Sequence, residues 1–298
     1  MLTWLIEPLG FEFMRNAIAI GVLIGILSAV IGSYLIVQHM GLLGDVVAHA
    51  VLPGLAIAFY IGMDIFLGAF IAGTISTFVV AWIQTHSKIK VDTAMALVFS
   101  GFLALGVMLI TTLKSKLDLH SFLFGDILGV TTADLWRTLI IAIAVLACVI
   151  IFYRELIFYC FDPLASKAMG LPVHFIHFGL MAGITLTIIA SMQSVGVVLV
   201  VSLLTGPAAT AYLLVKELHL MMALGALFGV IASVSGMYIS YYQNVPSGSA
   251  IVLIISGMFL FALLFSPSQG ILTKKAISSR VKNLVRNSSA RKPDKTFL

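Results

Sequence analysis

Residues 41–54 read Gly41-Leu-Leu-Gly-Asp-Val-Val-Ala-His-Ala-Val-Leu-Pro-Gly54, and they place a carboxylate and an imidazole in an otherwise apolar stretch. In a helix, Asp45 and His49 would lie about 40° apart on one face, because four residues separate them. A carboxylate at the centre of a membrane helix costs roughly 3 kcal/mol, so it rarely lies there without a partner. The pair predicts a functional site if the surrounding chain spans a membrane.

The composition around this stretch indicates a membrane protein. The chain of 298 residues is 61% hydrophobic and 10% charged, far more apolar than a soluble domain. Asp, Glu, Lys and Arg are absent from five long runs: 17–44, 65–87, 93–113, 173–215 and 218–273. The last run is long enough for two helices of about 20 residues each. We therefore predict an all-α fold, a polytopic helical membrane protein with about eight to ten transmembrane helices.

The apolar runs divide into nine predicted spans within a transmembrane domain over residues 17–272. The spans are 17–38, 42–60, 64–84, 93–113, 135–153, 173–192, 195–215, 219–242 and 248–266. The second span is the one that Pro53 and the glycines near it can break or unwind. Residues 1–16 are predicted to form an N-terminal interfacial segment, and 121–130 a short re-entrant or surface helix.

The charges predict the orientation of these spans. Residues 274–298 contain eight Lys or Arg and one acid, so 273–298 is predicted to be a basic cytoplasmic tail. Counting back across the spans places 154–172 and 85–92 on the cytoplasmic side as well. The tail contributes +7 and the rest of the chain −2 to the net charge of +5. We attribute the basic tail to topology and anionic lipid, and expect no nucleic-acid partner.

Asp45 and His49 are candidate metal ligands. A carboxylate oxygen and an imidazole nitrogen suit a divalent transition metal, but metal sites usually need four to six donors. A two-fold axis beside this helix would bring two copies of each side chain together. Two nitrogens, two oxygens and added waters suit manganese or zinc. The alternative is that Asp45 caps the helix after Gly44 and that His49 is an interior histidine with satisfied hydrogen bonds.

The segment Phe161-Asp-Pro-Leu-Ala-Ser-Lys-Ala-Met-Gly-Leu-Pro172 has the pattern of a short capped helix. Asp162 before Pro163 is typical of an N-cap followed by the first helical residue. The predicted helix covers residues 164–169; Gly170 would end it, and Pro172 would prevent its continuation. Between two spans, such a helix suits a lever for a cytoplasmic partner. An ordinary interhelical loop is the alternative.

The stretch 195–211 combines small residues with a proline. Gly206 and the alanines near it permit close helix packing, and Pro207 frees main-chain carbonyls. Helix breaks of this kind often line a substrate pathway. Packing alone is the alternative interpretation.

Two further patterns concern packing and solvation. The pairs Gly21/Gly25 and Gly225/Gly229 have the spacing of close helix contacts. Five histidines near predicted span ends are expected to be solvated at the interface: His39, His120, His174, His177 and His219.

Jointly, the segments 44–54, 162–172 and 195–211 resemble the membrane permeases of bacterial ATP-binding-cassette importers for manganese, zinc and iron. They occur in the order found in that family, and the resemblance covers about residues 10–270. Within the family, the chain looks most similar to manganese permeases. The resemblance implies a type II-like importer permease that spans the bacterial plasma membrane many times.

The resemblance also implies the partners and the roles of the motifs. It implies a permease homodimer, two cytoplasmic ATPase subunits and an extracytoplasmic metal-binding protein. It assigns the metal pathway to the helix of Asp45 and His49 and the ATPase-coupling helix to 162–172. The motif positions of that helix are Asp162, Pro163, Ala165, Gly170 and Pro172. ATP hydrolysis would occur on the separate ATPase, since no G-x-x-x-x-G-K-[ST] loop occurs in this chain.

The sequence thus predicts the permease subunit of an ATP-driven importer, itself no enzyme and without a resident cofactor, with Mn(II) as the transported ion. A zinc or iron permease is the first alternative, because these ions share ligands. An ion-coupled secondary transporter would need titratable groups in several spans, and Asp45 alone is clearly embedded. A membrane metalloprotease would need a motif such as HExxH, which the sequence lacks.

Overall fold

The computed structural model describes residues 7–113, 125 and 127–266. This part of the chain contains twelve α-helices and no strand. The helices are α1 (Glu12–Val37), α2 (Leu43–Ala50), α3 (Leu52–Ile61), α4 (Ile65–His86), α5 (Val91–Thr112), α6 (Thr132–Ile151), α7 (Tyr153–Phe161), α8 (Pro163–Ala168), α9 (Val173–Val195), α10 (Val197–Leu214), α11 (Leu218–Gln243) and α12 (Ser247–Phe265). Single turns of 3-10 helix cover Pro8–Gly10 and Ile127–Gly129.

In the described ranges, nine helical segments are long and apolar enough to cross a membrane, with α2 and α3 together forming the second. The all-α fold class and the nine predicted spans are confirmed in number and order. The largest difference is at α1, which begins at Glu12 and therefore includes residues 12–16 of the predicted interfacial segment. Half of the predicted helix at 121–130 lies outside the described residues, and in its described half a single turn of 3-10 helix covers Ile127–Gly129. The tail at 273–298 lies wholly outside the described residues.

The helix α1 forms the centre of the bundle. In the most apolar 18-residue stretch of α1, 67% is buried inside the protein. The corresponding share is 22% for α5, α6 and α12. It packs along α10 and α11, while α2 and α3 pack on α4 and α5. The weakly buried helices therefore lie at the periphery of the bundle.

Glycines bring α1 and α11 into main-chain contact. A Cβ atom on Gly25 would lie 3.0 Å from the carbonyl group of Gly229. One turn away, the Ser233 hydroxyl donates a hydrogen bond to the Gly21 carbonyl oxygen at 3.0 Å. The close contact predicted for the Gly21/Gly25 and Gly225/Gly229 pairs is therefore confirmed.

The second span is interrupted at Val51, as its proline and glycines predict. Pro53 has no N–H to donate to the carbonyl of His49, four residues earlier, so the regular helical ladder stops there. The Val51 N–H still bonds the Val47 oxygen at 3.2 Å, and the Leu55 N–H bonds the Val51 oxygen at 3.0 Å. The break is therefore local, and α2 and α3 together still cross the bundle.

The interruption expected at Pro207 does not occur, because α10 is one continuous helix that contains Pro207. The proline removes one main-chain hydrogen bond, but α1, α11 and α12 pack around the helix and hold it. A Cβ atom on Gly206 would overlap the Ile255 side chain of α12. The structure therefore supports the packing interpretation of this stretch, while a pathway role for Gly206 and Pro207 stays a prediction.

Replacing Gly32 by alanine should destabilise the protein. The added Cβ would overlap the main-chain oxygen of Leu204, so α1 and α10 would have to separate. We expect the free energy of unfolding to fall by about 2 kcal/mol, as for an extra methyl group in a packed core. The melting temperature in detergent measures this loss.

Gly101→Ala is the matched control, since nothing lies within 4 Å of a Cβ atom at that position. It should be neutral or slightly stabilising, because alanine favours a helix more than glycine does. Equal melting temperatures for the two variants would contradict the close contact between α1 and α10.

Candidate metal site and coupling helix

The helix α2 positions both candidate ligands. It begins at Leu43, and its N-cap residue Leu42 makes no side-chain cap. Asp45 lies within the first turn, so the alternative in which Asp45 caps the helix is wrong. A carboxylate in a first turn interacts favourably with the exposed N–H groups and the helix dipole.

The His49 ring is oriented by Asp45. Its Nδ1 lies 3.0 Å from the main-chain oxygen of Asp45 and 3.3 Å from the carboxylate Oδ1. Both neighbours are hydrogen-bond acceptors, so they favour the tautomer with the proton on Nδ1. Nε2 then keeps its lone pair for a ligand, the arrangement that metal-binding histidines usually show.

The pair is open to the surface of the single chain. The Asp45 side chain is 47% exposed and the His49 side chain 21%. Phe99 of α5 meets the imidazole edge-on, with 5.1 Å between ring centroids. Phe99 is the ninth of 22 residues in α5, so His49 lies well inside the thickness of the bundle. Asp45 lies about 6 Å from it along the helix axis, towards the N-terminus of α2. No pattern in the sequence predicts this contact of Phe99 with His49.

The described part of one chain offers only some of the donors that a metal site would need. No group of three or more His, Cys, Asp or Glu side chains comes together in the described ranges. Asp45 and His49 therefore offer two donors, whereas a stable transition-metal site uses four or more. In a metal site, the remaining ligands would be waters, main-chain oxygens or groups of another chain.

The predicted capped helix is present as α8, one residue displaced towards the N-terminus. The Asp162 carboxylate accepts a hydrogen bond from the Ala165 N–H at 2.9 Å, and Pro163 is the first helical residue. Gly170 has a φ of +79°, a left-handed conformation that favours glycine and ends the helix. Pro172 then precedes α9 as its N-cap residue.

Apolar side chains surround α8 without being buried. Leu164 is 81% exposed, Phe161 60% and Met169 56%. These residues lie in and beside the connection between the spans α6 and α9, outside both of them. Exposed apolar patches of this kind are typical of surfaces that contact another protein or the membrane.

Sequence reasoning missed the contact that attaches α7 to α9. Tyr159 Oη and His177 Nδ1 are hydrogen-bonded at 2.6 Å, and both residues are buried. The expectation that His177 is solvated at a span end is therefore wrong. Burial raises the pKa of Tyr159 to about 12 and that of the adjacent Cys160 thiol to about 11. Both groups of α7 are thus neutral at physiological pH.

A second missed contact lies at the opposite ends of the spans. The Arg137 guanidinium lies 4.0 Å from the centre of the Phe66 ring and 3.8 Å from the Asp64 carboxylate. Asp64 also caps α4 by accepting from the Phe66 N–H at 2.7 Å. This cluster holds α4 to α6 on the face remote from α8.

The nine apolar spans of the described residues, with a short helix between two of them, define a multi-pass membrane protein. Its sequence matches the ABC 3 transport family over residues 10–266. The chain belongs to this family of transport permeases.

Individual relatives agree with this assignment. The chain is 44% identical over 265 residues to the manganese transport system membrane protein MntC of Listeria monocytogenes, covering 89% of this chain and 95% of that protein. It is 42% identical over 265 residues to the manganese import system permease protein ScaB of Streptococcus gordonii, with 89% and 95% covered. The solved structure of PsaBC from Streptococcus pneumoniae in complex with Fab superposes with a TM-score of 0.81 at 42% identity, covering 92% of this chain and 100% of that chain.

Asp162→Ala should loosen α8, because it removes the acceptor of the Ala165 N–H. Loss of an N-cap costs about 1 kcal/mol, so amide hydrogen exchange at Ala165 should accelerate about fivefold. Asp162→Asn keeps an acceptor oxygen and should exchange nearly as slowly as the unaltered protein. Identical exchange in the alanine and asparagine variants would show that the side-chain cap does not hold this helix.

Proposed function

We propose that this chain is the permease subunit of an ABC importer for Mn(II), and that two copies bind the ion through Asp45 and His49. The observation that carries the proposal is the open Asp45–His49 pair inside the bundle, in a chain similar to proteins named as manganese transporters. An ionised carboxylate and a neutral imidazole would replace part of the hydration shell of the ion.

Three features of the pair favour a site shared by two copies. Each chain offers two donors, so a pair of chains offers two oxygens and two nitrogens, which waters can complete. The two carboxylates together carry a charge of about −2, which balances a divalent cation in a medium that screens charge poorly. A second chain would also shield the Asp45 carboxylate, 47% exposed in one chain, from lipid.

The same ligand set leaves zinc and iron as alternatives. Zinc also accepts nitrogen and oxygen donors, and cells select between such ions partly by availability. Manganese is favoured because carboxylate and water are ligands that suit it, and because the similar proteins carry manganese in their names. The transport mechanism would be the same for all three ions.

The surface around α8 supports a cytoplasmic ABC ATPase dimer as partner. The exposed Leu164 and its apolar neighbours offer a compact docking surface, and the Asp162 cap gives this surface a defined shape. ATP binding and hydrolysis on the partner would move α8 and rock the two permease copies against each other. The site would then open alternately to each side of the plasma membrane, and an extracytoplasmic metal-binding protein would deliver the ion at the opposite face.

A secondary transporter is the competing mechanism. It would take its energy from a second ion rather than from ATP, and would need further titratable groups buried in the spans. Membership of the ABC 3 transport family argues against it. Co-purification of an ATPase separates the two mechanisms, since only the ABC permease should retain one.

Removing either ligand should abolish metal import. We expect Asp45→Ala and His49→Ala to reduce ATP-dependent Mn(II) uptake about tenfold or more, because each change deletes a donor from both copies. Uptake is measured in liposomes that contain the permease and its ATPase, with the binding protein outside. Parallel measurements with Zn(II) and Fe(II) identify the cargo.

Asp92→Ala is the matched control, since Asp92 is an exposed carboxylate in the first turn of α5. It should leave uptake unchanged. Full Mn(II) uptake by assembled Asp45→Ala and His49→Ala complexes would overturn the site. Uptake of zinc but not manganese by the unaltered complex would retain the mechanism and change the metal.

Leu164→Glu should weaken the association with the ATPase. It places a charge at the centre of the proposed docking surface, and loss of such an apolar anchor typically costs more than about 1 kcal/mol, or more than about fivefold in affinity. Leu164→Met preserves the volume and the apolar character and should bind nearly normally. Titration of the purified permease with the ATPase measures both variants. Equal affinities would place the docking surface elsewhere.

A further inference from the structure

The helix α7 is the only covalent link from the span α6 to the coupling helix α8, and it has few neighbours. It packs on α9, on α6 and on the end of α1. Its polar contact with α9 is the hydrogen bond between Tyr159 Oη and His177 Nδ1 at 2.6 Å. Tyr159 is 7% exposed and His177 8%, so solvent hardly weakens this bond.

Unpaired polar atoms are concentrated around the same helix. Three buried side-chain atoms on or beside α7 have no hydrogen-bond partner in the described part of the chain: Tyr34 Oη, Glu155 Oε2 and His177 Nε2. Tyr34 and Gln38, at the end of α1, lie close to Cys160 of α7. Each buried unpaired group carries a desolvation cost, and an arrangement of α7 that pairs some of these atoms would recover part of it.

We propose that the Tyr159–His177 hydrogen bond transmits the movement of α8 to the metal site, so that Tyr159 and His177 are positioning residues of the transport cycle. This inference rests on the proposed function. The path consists of contacts in the structure: α8 continues α7, Tyr159 ties α7 to the fifth residue of α9, and α9 packs directly on α2, which carries Asp45 and His49.

The polar character of this joint distinguishes it from ordinary packing. A hydrogen bond is directional, so it is either formed or exchanged for another partner. Apolar contacts are not directional, and two helices can slide along each other without losing them. The unpaired His177 Nε2 offers the ring a second bonding arrangement without solvent. A joint with two discrete arrangements is what a coupling path between distant sites requires.

The test is the number of ions imported per ATP hydrolysed by the complete importer in liposomes, with both quantities measured in the same sample. We expect Tyr159→Phe, which removes only the hydroxyl, to lower this ratio about fivefold. That factor corresponds to about 1 kcal/mol, the net worth of one hydrogen bond. ATPase affinity and Mn(II) binding by the permease should be unchanged.

Variants at His177 separate coupling from folding. His177→Asn keeps a polar atom near the position of Nδ1 and should retain the ratio, whereas His177→Leu should lower it as Tyr159→Phe does. The double variant Tyr159→Phe with His177→Leu should be no worse than either single change, because both remove the same bond. Tyr60→Phe, on a side chain 67% exposed at the opposite face, is the control and should leave the ratio unchanged.

The outcomes are distinct. An unchanged ratio in Tyr159→Phe, or additive losses in the double variant, overturns the proposal. A lower melting temperature with an unchanged ratio would give the bond a structural role only and also overturns it. Absence of ATP-dependent metal uptake by the unaltered importer would instead defeat the proposed function on which this inference rests.

Discussion

Close main-chain contact around α1 is the constraint on which the rest of this structure depends. Helices in a bilayer gain little from burying apolar side chains against each other, because lipid is equally apolar. Their contact has to come from atoms that approach closely, and glycines at Gly25 and Gly32 of α1 permit that against Gly229 and Leu204. The helices α10 and α11 are held at fixed distances from α1, and α2 packs against α10 of this frame.

The position of the candidate site follows from this frame. A Cβ atom on Gly44 would lie 2.9 Å from the Leu204 side chain, so the first turn of α2 approaches α10 as closely as its backbone allows. This contact fixes the rotation of α2 about its own axis, so the Asp45 carboxylate points out of the packed core. Pro53 ends the regular ladder just after His49. Close packing on α10 therefore fixes the chain before the pair, whereas the regular helical hydrogen bonding is interrupted just after it.

Sequence reasoning succeeded where one local pattern decides the structure. Apolar runs gave the nine spans, the Asp162–Pro163 cap gave α8, and Pro53 gave the break in the second span. It failed where packing overrides local chemistry: Pro207 does not break α10, because three helices enclose it. It also missed the Phe99–His49 and Tyr159–His177 contacts, since nothing in a single sequence shows which distant side chains meet. Local sequence patterns predict helices and their ends, whereas the contacts between distant helices depend on tertiary packing.

In the proposed importer, the exposed Asp45 carboxylate would link the assembly of the two copies to the binding of the ion. A bare Asp45 inside the bundle is costly against lipid, so a second copy that covers it would stabilise the pair of chains. Without an ion, however, two carboxylates would face each other and repel. A cation between them reverses the sign of that interaction. By linkage, whatever free energy the ion adds to the association of the two copies, their association adds to the binding of the ion. An arrangement of the copies that separates the two Asp45 side chains would therefore lower the affinity for the ion and release it.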